Sequence, residues 1–176
     1  MRQKRRDMTT QIVSKNSDII CKRLFSLECM KNANTVCTFL SAFKEPDTIP
    51  IVKKLLSESR RVAVPISNTD TLTLTLSYIE GCEDLKKGPY GIYEPSVIRE
   101  AEADDIDVAL VPGLAFGRDG SRMGFGKGYY DRLLANGKFI KIGLCYDFQL
   151  LDAVPSEAHD VPMDYIITEK ETVKVR

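Results

Sequence analysis

The stretch "IDVALVPGLAFGRDGSRMGFGKGYYDRLL" (106–134) decides how this chain is read. Its opening "IDVALVPG" is a near-continuous apolar run stopped by Pro112 and Gly113, the pattern of a strand buried on both faces. Behind it come alternating glycines, bases and paired tyrosines, and then "YYDRLLANG", a helix expected to begin near Tyr129 and close at Gly137. In parallel sheets ligands bind beyond the carboxyl ends of strands, so the glycine loop is where a site belongs.

Working outward, strands and helices alternate. Val13, Ile20, Leu24 and Leu27 fall at helical spacing with Lys15, Lys22 and Arg23 between them. "NTVCTFLSAF" (34–43) reads as a strand ending near Phe39 or Leu40, and "KEPDTIPIVKKLLSESR" as a helix with a cap-rich start. "RRVAVPI" (60–66) is a further strand. In "TLTLTLSYI", Leu72, Leu74, Leu76 and Tyr78 alternate with polar residues, which predicts a strand with one wet face. "GCEDLKKGPYGIYEPS" is a loop broken by Gly88, Pro89, Gly91 and Pro95; "FIKIGLCY" and "DYIITE" are two more strands. No repeat or low-complexity linker divides the chain. The expected architecture is a single three-layer α/β domain over residues 1–176, a mostly parallel twisted sheet with helices on both faces.

Composition narrows the function classes. A chain of 176 residues with 43% hydrophobic and 28% charged residues is that of a soluble globular protein. Its 25 basic residues balance 25 acidic ones, which argues against a dedicated nucleic-acid binder. The five cysteines form no C-x-x-C pair and His159 is the one histidine, so no zinc site is indicated. Free, mostly buried thiols in a reducing, cytoplasmic setting are expected. The basic start "MRQKRR" is followed by no apolar leader core, and no segment has the run of apolar residues a membrane span needs.

The glycine loop fails two familiar phosphate motifs. A Walker A loop needs Ser or Thr after Gly-Lys, where this chain has Gly128, and a glycine where it has Ser121. The dinucleotide G-x-G-x-x-G spacing is absent too, since the glycines stand at 124, 126 and 128. The logic of an anion cradle survives: glycines allow positive φ and close approach of backbone N–H groups, and the following helix adds its dipole. Arg122 and Lys127 add charge, Asp131 could hold magnesium on a phosphate, and one tyrosine ring could face a flat ligand. The bland alternative is a glycine-rich turn with solvated bases. The chemistry of the motif reaches nucleotide or phosphate-ester binding and no further.

The same residues resemble the signature of the 5-formyltetrahydrofolate cyclo-ligase family, R-[LM]-G-x-G-x-G-Y-Y-D after a strand ending V-P-G. "FLSAFKEPDTIPIVKKLL", "GIYEP" and "FQLLDAVPSEAHDVPMDYIITE" are similar to further family motifs, in order, over roughly residues 5 to 170. The resemblance implies ATP- and magnesium-dependent conversion of 5-formyltetrahydrofolate to 5,10-methenyltetrahydrofolate. ATP would phosphorylate the formyl oxygen and the substrate's N10 would then displace phosphate, with no protein nucleophile required.

Carried over by motif, the resemblance implies ATP contacts at Arg122, Met123, Gly124, Phe125, Gly126, Lys127, Gly128, Tyr129 and Tyr130, and folate contacts at Leu40, Glu45 and 125–129. Lys127, Arg122 and Tyr129 are the residues expected to carry catalysis, and Asp131 and Asp160 the magnesium ligands. His159 is expected to pack in a loop. Tyr78, Tyr90 and Tyr93 are expected to pack in core or loop, the "GPYGIYEP" loop being able to close over a ligand. The family's first helix opens K-x-x-x-R, which supplies charge to ATP phosphates, and aligning Met8 puts those bases ahead of Met1; Lys4 and Arg5 are the available substitutes as ATP contacts, or "RQKRR" is a solvated end. A monomer is expected, a dimer staying open. Two other readings remain: a non-catalytic nucleotide- or folate-binding relative, and a sugar-phosphate isomerase or CoA-transferase-like enzyme on a similar fold.

Overall fold

The computed structural model describes residues 1–88, 91–126, 128–157 and 160–175. Three helices lead the chain: α1 (Arg2–Asp7), α2 (Thr10–Ser26) and α3 (Glu28–Asn32). β1 (Thr35–Thr38), α4 (Ile49–Ser57), β2 (Arg61–Asn68) and β3 (Thr73–Ile79) follow. Next come the short strands β4 (Leu85–Lys87), β5 (Tyr93–Pro95) and β6 (Glu100–Ala101), and then β7 (Val108–Val111). The remainder is β8 (Ala115–Gly117), β9 (Arg122–Met123), α5 (Tyr129–Asn136), β10 (Ile140–Leu144), β11 (Leu150–Leu151), β12 (Tyr165–Ile167) and β13 (Thr172–Lys174).

One eight-stranded sheet runs β13-β12-β10-β7-β1-β2-β3-β6. The five strands from β12 to β2 are mutually parallel, with Val36 opposite both Val62 and Val108. At the margins β13 pairs antiparallel with β12, and β3 pairs antiparallel with both β2 and the edge strand β6. The expected mostly parallel sheet is therefore present, with antiparallel margins that the sequence reading did not foresee.

Alternation along the central strands sends side chains to opposite faces, and both faces are covered. Val36, Val62, Val108, Leu110, Ile142 and Ile167 pack with Ile20, Leu24, Ile51 and Leu55 of α2 and α4. Cys37, Ala63, Ala109, Val111 and Ile166 pack on the other side with Leu134 of α5 and with Phe116. Phe116 is fully buried, and its ring sits where a Cβ on Gly113 or Gly143 would fall, 2.7 and 2.5 Å away respectively. Gly143 pairs with Val111 in the sheet, so this strand glycine marks a close approach of ring to backbone.

Two elements differ from the sequence reading. Leu72 lies outside β3, 38% exposed with φ +56°, because the chain turns there before the strand begins. Within β3 the alternation holds only at the start: Ser77 is buried beside Leu76 and Ile79 because β6 and its approach cover that end of the strand. The "GCEDLKKGPYGIYEPS" segment is also more ordered than a bare loop, since Leu85–Lys87 pairs with Tyr93–Pro95.

β1 continues through α4 to β2 on one side, whereas β7 continues through α5 to β10 on the other. The chain thus leaves two adjacent parallel strands in opposite directions, which opens a crevice at their carboxyl ends. Adding a methyl at Gly143 would drive it into a ring that Gly113 prevents from retreating. Gly143→Ala should therefore lower stability by about 1–3 kcal/mol, read as a reduced urea midpoint with an unchanged slope.

Candidate active site

The crevice holds a cleft of ≈ 440 Å³, within the range of small-molecule sites. Phe39 and Leu40 reach it from the end of β1 and Pro112 from the end of β7; the glycine loop closes one wall. Phe43 (63% exposed), Phe125 (46%) and Tyr93 (47%) stand around it, an unusual concentration of solvent-facing aromatic surface.

The glycine loop is built as a cradle, though its glycines serve different ends. Gly126 (φ +87°) and Gly128 (φ +67°) take the left-handed conformation, and Gly128 caps α5. Gly124 does not; a Cβ there would lie 2.7 Å from Arg122 Nη1, so its role is to let the guanidinium pass. Arg122 is buried, donates to the Asp131 carboxylate and lies 5.7 Å from the centre of the Tyr130 ring. Desolvation holds the Tyr130 hydroxyl well above its ordinary range, so it stays a neutral donor. Gly124, Phe125, Gly126, Gly128, Tyr129, Tyr130 and Asp131 all line the cleft.

The opposite wall is the loop between β1 and α4. Thr48 donates to the Phe39 carbonyl at 2.7 Å and accepts from Ser41 N at 3.1 Å, and Asp47 accepts from Ile49 N at 3.0 Å; these bonds fold "SAFKEPDT" onto the helix start. Phe43 (φ +50°) and Lys44 (φ +57°) are consecutive left-handed residues without glycine, a strain of about 1–3 kcal/mol each that its surroundings must hold. Glu45, 8% exposed, follows them and lines the cleft. Burial raises its carboxyl above the ordinary range, an effect that Arg5 and the Ala42 N–H oppose.

The "RQKRR" segment is not a frayed end. It is α1, and Arg5 is 4% exposed, 3.5 Å from Glu45 Oε1 and donating to the Phe43 carbonyl at 3.1 Å. Lys4 lies 5.9 Å from the centre of the Phe148 ring. Neither side chain lines the cleft where phosphate contacts were expected, because a buried acid draws Arg5 sideways. Met123 is 38% exposed at the cleft, and Asp160 lines it with its carboxylate accepting from Glu157 N at 2.7 Å. Lys127, His159 and Tyr90 lie outside the described residues. Tyr78 donates to Asp105 at the surface, whereas Tyr93, expected to pack, faces the cleft. Among the described residues no group of three or more His, Cys, Asp or Glu side chains gathers as a metal site. No helix among them is long and apolar enough to cross a membrane.

Fold and cleft together define an α/β protein whose switch-point crevice sets a glycine loop with a buried arginine on one wall against a loop with a buried carboxylate on the other. Within that class the chain belongs to the 5-formyltetrahydrofolate cyclo-ligase family, whose sequence profile matches residues 1–169. It is 31% identical over 175 residues to the 5-formyltetrahydrofolate cyclo-ligase of Escherichia coli (strain K12), covering 96% of each chain. With the enzyme of that name from Saccharomyces cerevisiae it shares 34% identity over 181 residues, 89% of this chain and 85% of the relative. The solution structure of a 5,10-methenyltetrahydrofolate synthetase from Aquifex aeolicus superposes with a TM-score of 0.88 at 32% identity, over 99% of this chain and 89% of that one.

All five cysteines are free, and burial pushes the Cys37 thiol up to about 12 and that of Cys145 higher still. A thiol so poised is protonated and unreactive at neutral pH. Cys37 and Cys145 should stay unmodified when the folded protein is treated with iodoacetamide at pH 8 and react once it is denatured, as peptide mapping by mass spectrometry will show.

Proposed function

We propose that this cleft joins ATP to 5-formyltetrahydrofolate and closes the folate to 5,10-methenyltetrahydrofolate, releasing ADP and phosphate. As a member of its family the protein is an ATP-dependent ligase of folate one-carbon metabolism. The observation that carries the reading is the facing of two walls across one crevice: the glycine loop with Arg122, and the loop bearing Leu40 and Glu45.

On this reading the triphosphate lies along the glycine loop. Backbone N–H groups at 124–128 and the start of α5 meet its oxygens, Tyr129 and Tyr130 flank it, and Arg122 and Lys127 balance charge on the transferred phosphoryl group. The folate ring rests on Leu40 and the Phe125 to Tyr129 stretch, its N–H edge hydrogen-bonded to Glu45. Transfer of the γ-phosphoryl to the formyl oxygen makes an iminium phosphate. N10 then attacks the formyl carbon, loses its proton, and phosphate leaves with the carbon–oxygen bond. The protein contributes position and electrostatics and forms no covalent bond, which suits a cleft with no cysteine among its described lining residues.

Asp131 and Asp160 line the same cleft, and magnesium on nucleotide phosphates commonly needs one or two carboxylates. The pair therefore fits such an ion, which would neutralise phosphate charge; Asp131 would exchange Arg122 for it. Cytoplasmic residence and a single folded domain complete the reading, supported by five free thiols and by the eight-stranded sheet that runs through the domain; a monomer is proposed, a dimer staying open.

Incubating the protein with 5-formyltetrahydrofolate, ATP and magnesium should raise methenyl absorbance, and omission of ATP or chelation of magnesium should abolish the rise. Intact folate binding with no absorbance at high enzyme concentration would replace catalysis with a binding role. Lys127→Ala should lower kcat/KM for ATP by about 100-fold or more while moving the melting temperature little, since its charge serves the phosphoryl group.

A further inference from the structure

Helix α1 touches both walls of the cleft without entering it. On one side the guanidinium groups of Arg2 and Arg5 lie 5.6 and 5.9 Å from the centre of the Phe125 ring in the glycine loop. On the other, Arg5 meets Glu45 and the Phe43 carbonyl, and Lys44 reaches back to the Arg6 and Met8 carbonyls at 2.5 and 2.6 Å. The two contacts are reciprocal. Arg5 of the helix grips the loop, and Lys44 of the loop grips the end of the helix.

The loop held in this way contains the left-handed pair Phe43 and Lys44, which the chain would not adopt unaided. Directly after it, the Glu45 carboxylate is fixed at both oxygens. Oε1 faces Arg5 at 3.5 Å, and Oε2 accepts from Ala42 N at 3.1 Å. A buried carboxylate lacking its cation would protonate or turn toward water, and in either case lose its place as an ionised acceptor in the cleft.

We propose that Arg5 is a positioning residue for folate: with Lys44 it clamps the 41–45 loop and presents Glu45, ionised and in one orientation, to the substrate ring. The inference rests on the assignment of Glu45 to folate made above. It gives α1 a role in substrate recognition, where the family resemblance had suggested phosphate.

The test measures both Michaelis constants in a set of variants whose folding is checked by thermal melting. Arg5→Gln should raise KM for 5-formyltetrahydrofolate about tenfold, the scale of one charge-assisted hydrogen bond, with KM for ATP moving less than about threefold. Arg5→Lys should recover part of the loss. Lys44→Met, which opens the clamp from the other side, should shift the folate constant in the same direction, and it carries the test if Arg5→Gln does not fold. In a Glu45→Gln background the Arg5→Gln change should add less than about twofold, because the two residues act as one unit. Additive losses, or an unchanged folate constant in both Arg5→Gln and Lys44→Met, would overturn the proposal. A Glu45→Gln protein with the wild-type folate constant would instead overturn the assignment of Glu45 itself.

Discussion

Two adjacent parallel strands with no exposed face set the terms for the rest of the molecule. β1 and β7 lie side by side, and every residue of both is buried. Their successors depart to opposite sides, so no connection covers their carboxyl ends. The crevice is the geometric remainder of that arrangement, and the chain fills it with the two loops that follow these strands. One ends in the Glu45 wall, the other in the glycine cradle. Phe116 secures the second loop by packing its ring against backbone at Gly113 and Gly143, close to the point where the chain leaves β7.

The division of labour between the two walls follows from their chemistry. The glycine loop offers backbone donors and a buried cation whose partner, Asp131, keeps it desolvated and in place. The other loop offers a carboxylate surrounded by apolar and aromatic surface, suited to a planar ring with N–H groups. The proposed transfer of a phosphoryl group onto a ring substituent would need both at once, held at a fixed separation by the sheet that carries both loops.

Much of this was legible in the sequence because its signals are local. The run at 108–111, the helical spacing from Val13 to Leu24 and the glycines at 124, 126 and 128 each announce their structure within a few residues. What escaped is non-local. Arg5 sits in a run of bases that composition assigns to solvent, and only a loop forty residues away explains its burial. Tyr93 reads as packing because its approach to the cleft depends on the pairing of β4 with β5. The edge strands β6 and β13 carry two and three residues, too short for alternation to register against the loops around them. The alternation of "TLTLTLSYI" misled at its ends, where a turn claims Leu72 and the approach to β6 buries Ser77.

Those short margins have a bearing on how the molecule behaves in a crowded solution. A parallel core laid open at its sides would offer long rows of unpaired N–H and C=O groups to any passing chain. Here one side ends in Thr172–Lys174 and the other in Glu100–Ala101, each strand brief and each carrying a charge. A second molecule approaching along β13 or β6 meets a strand of only three or two residues, too little to template a growing sheet.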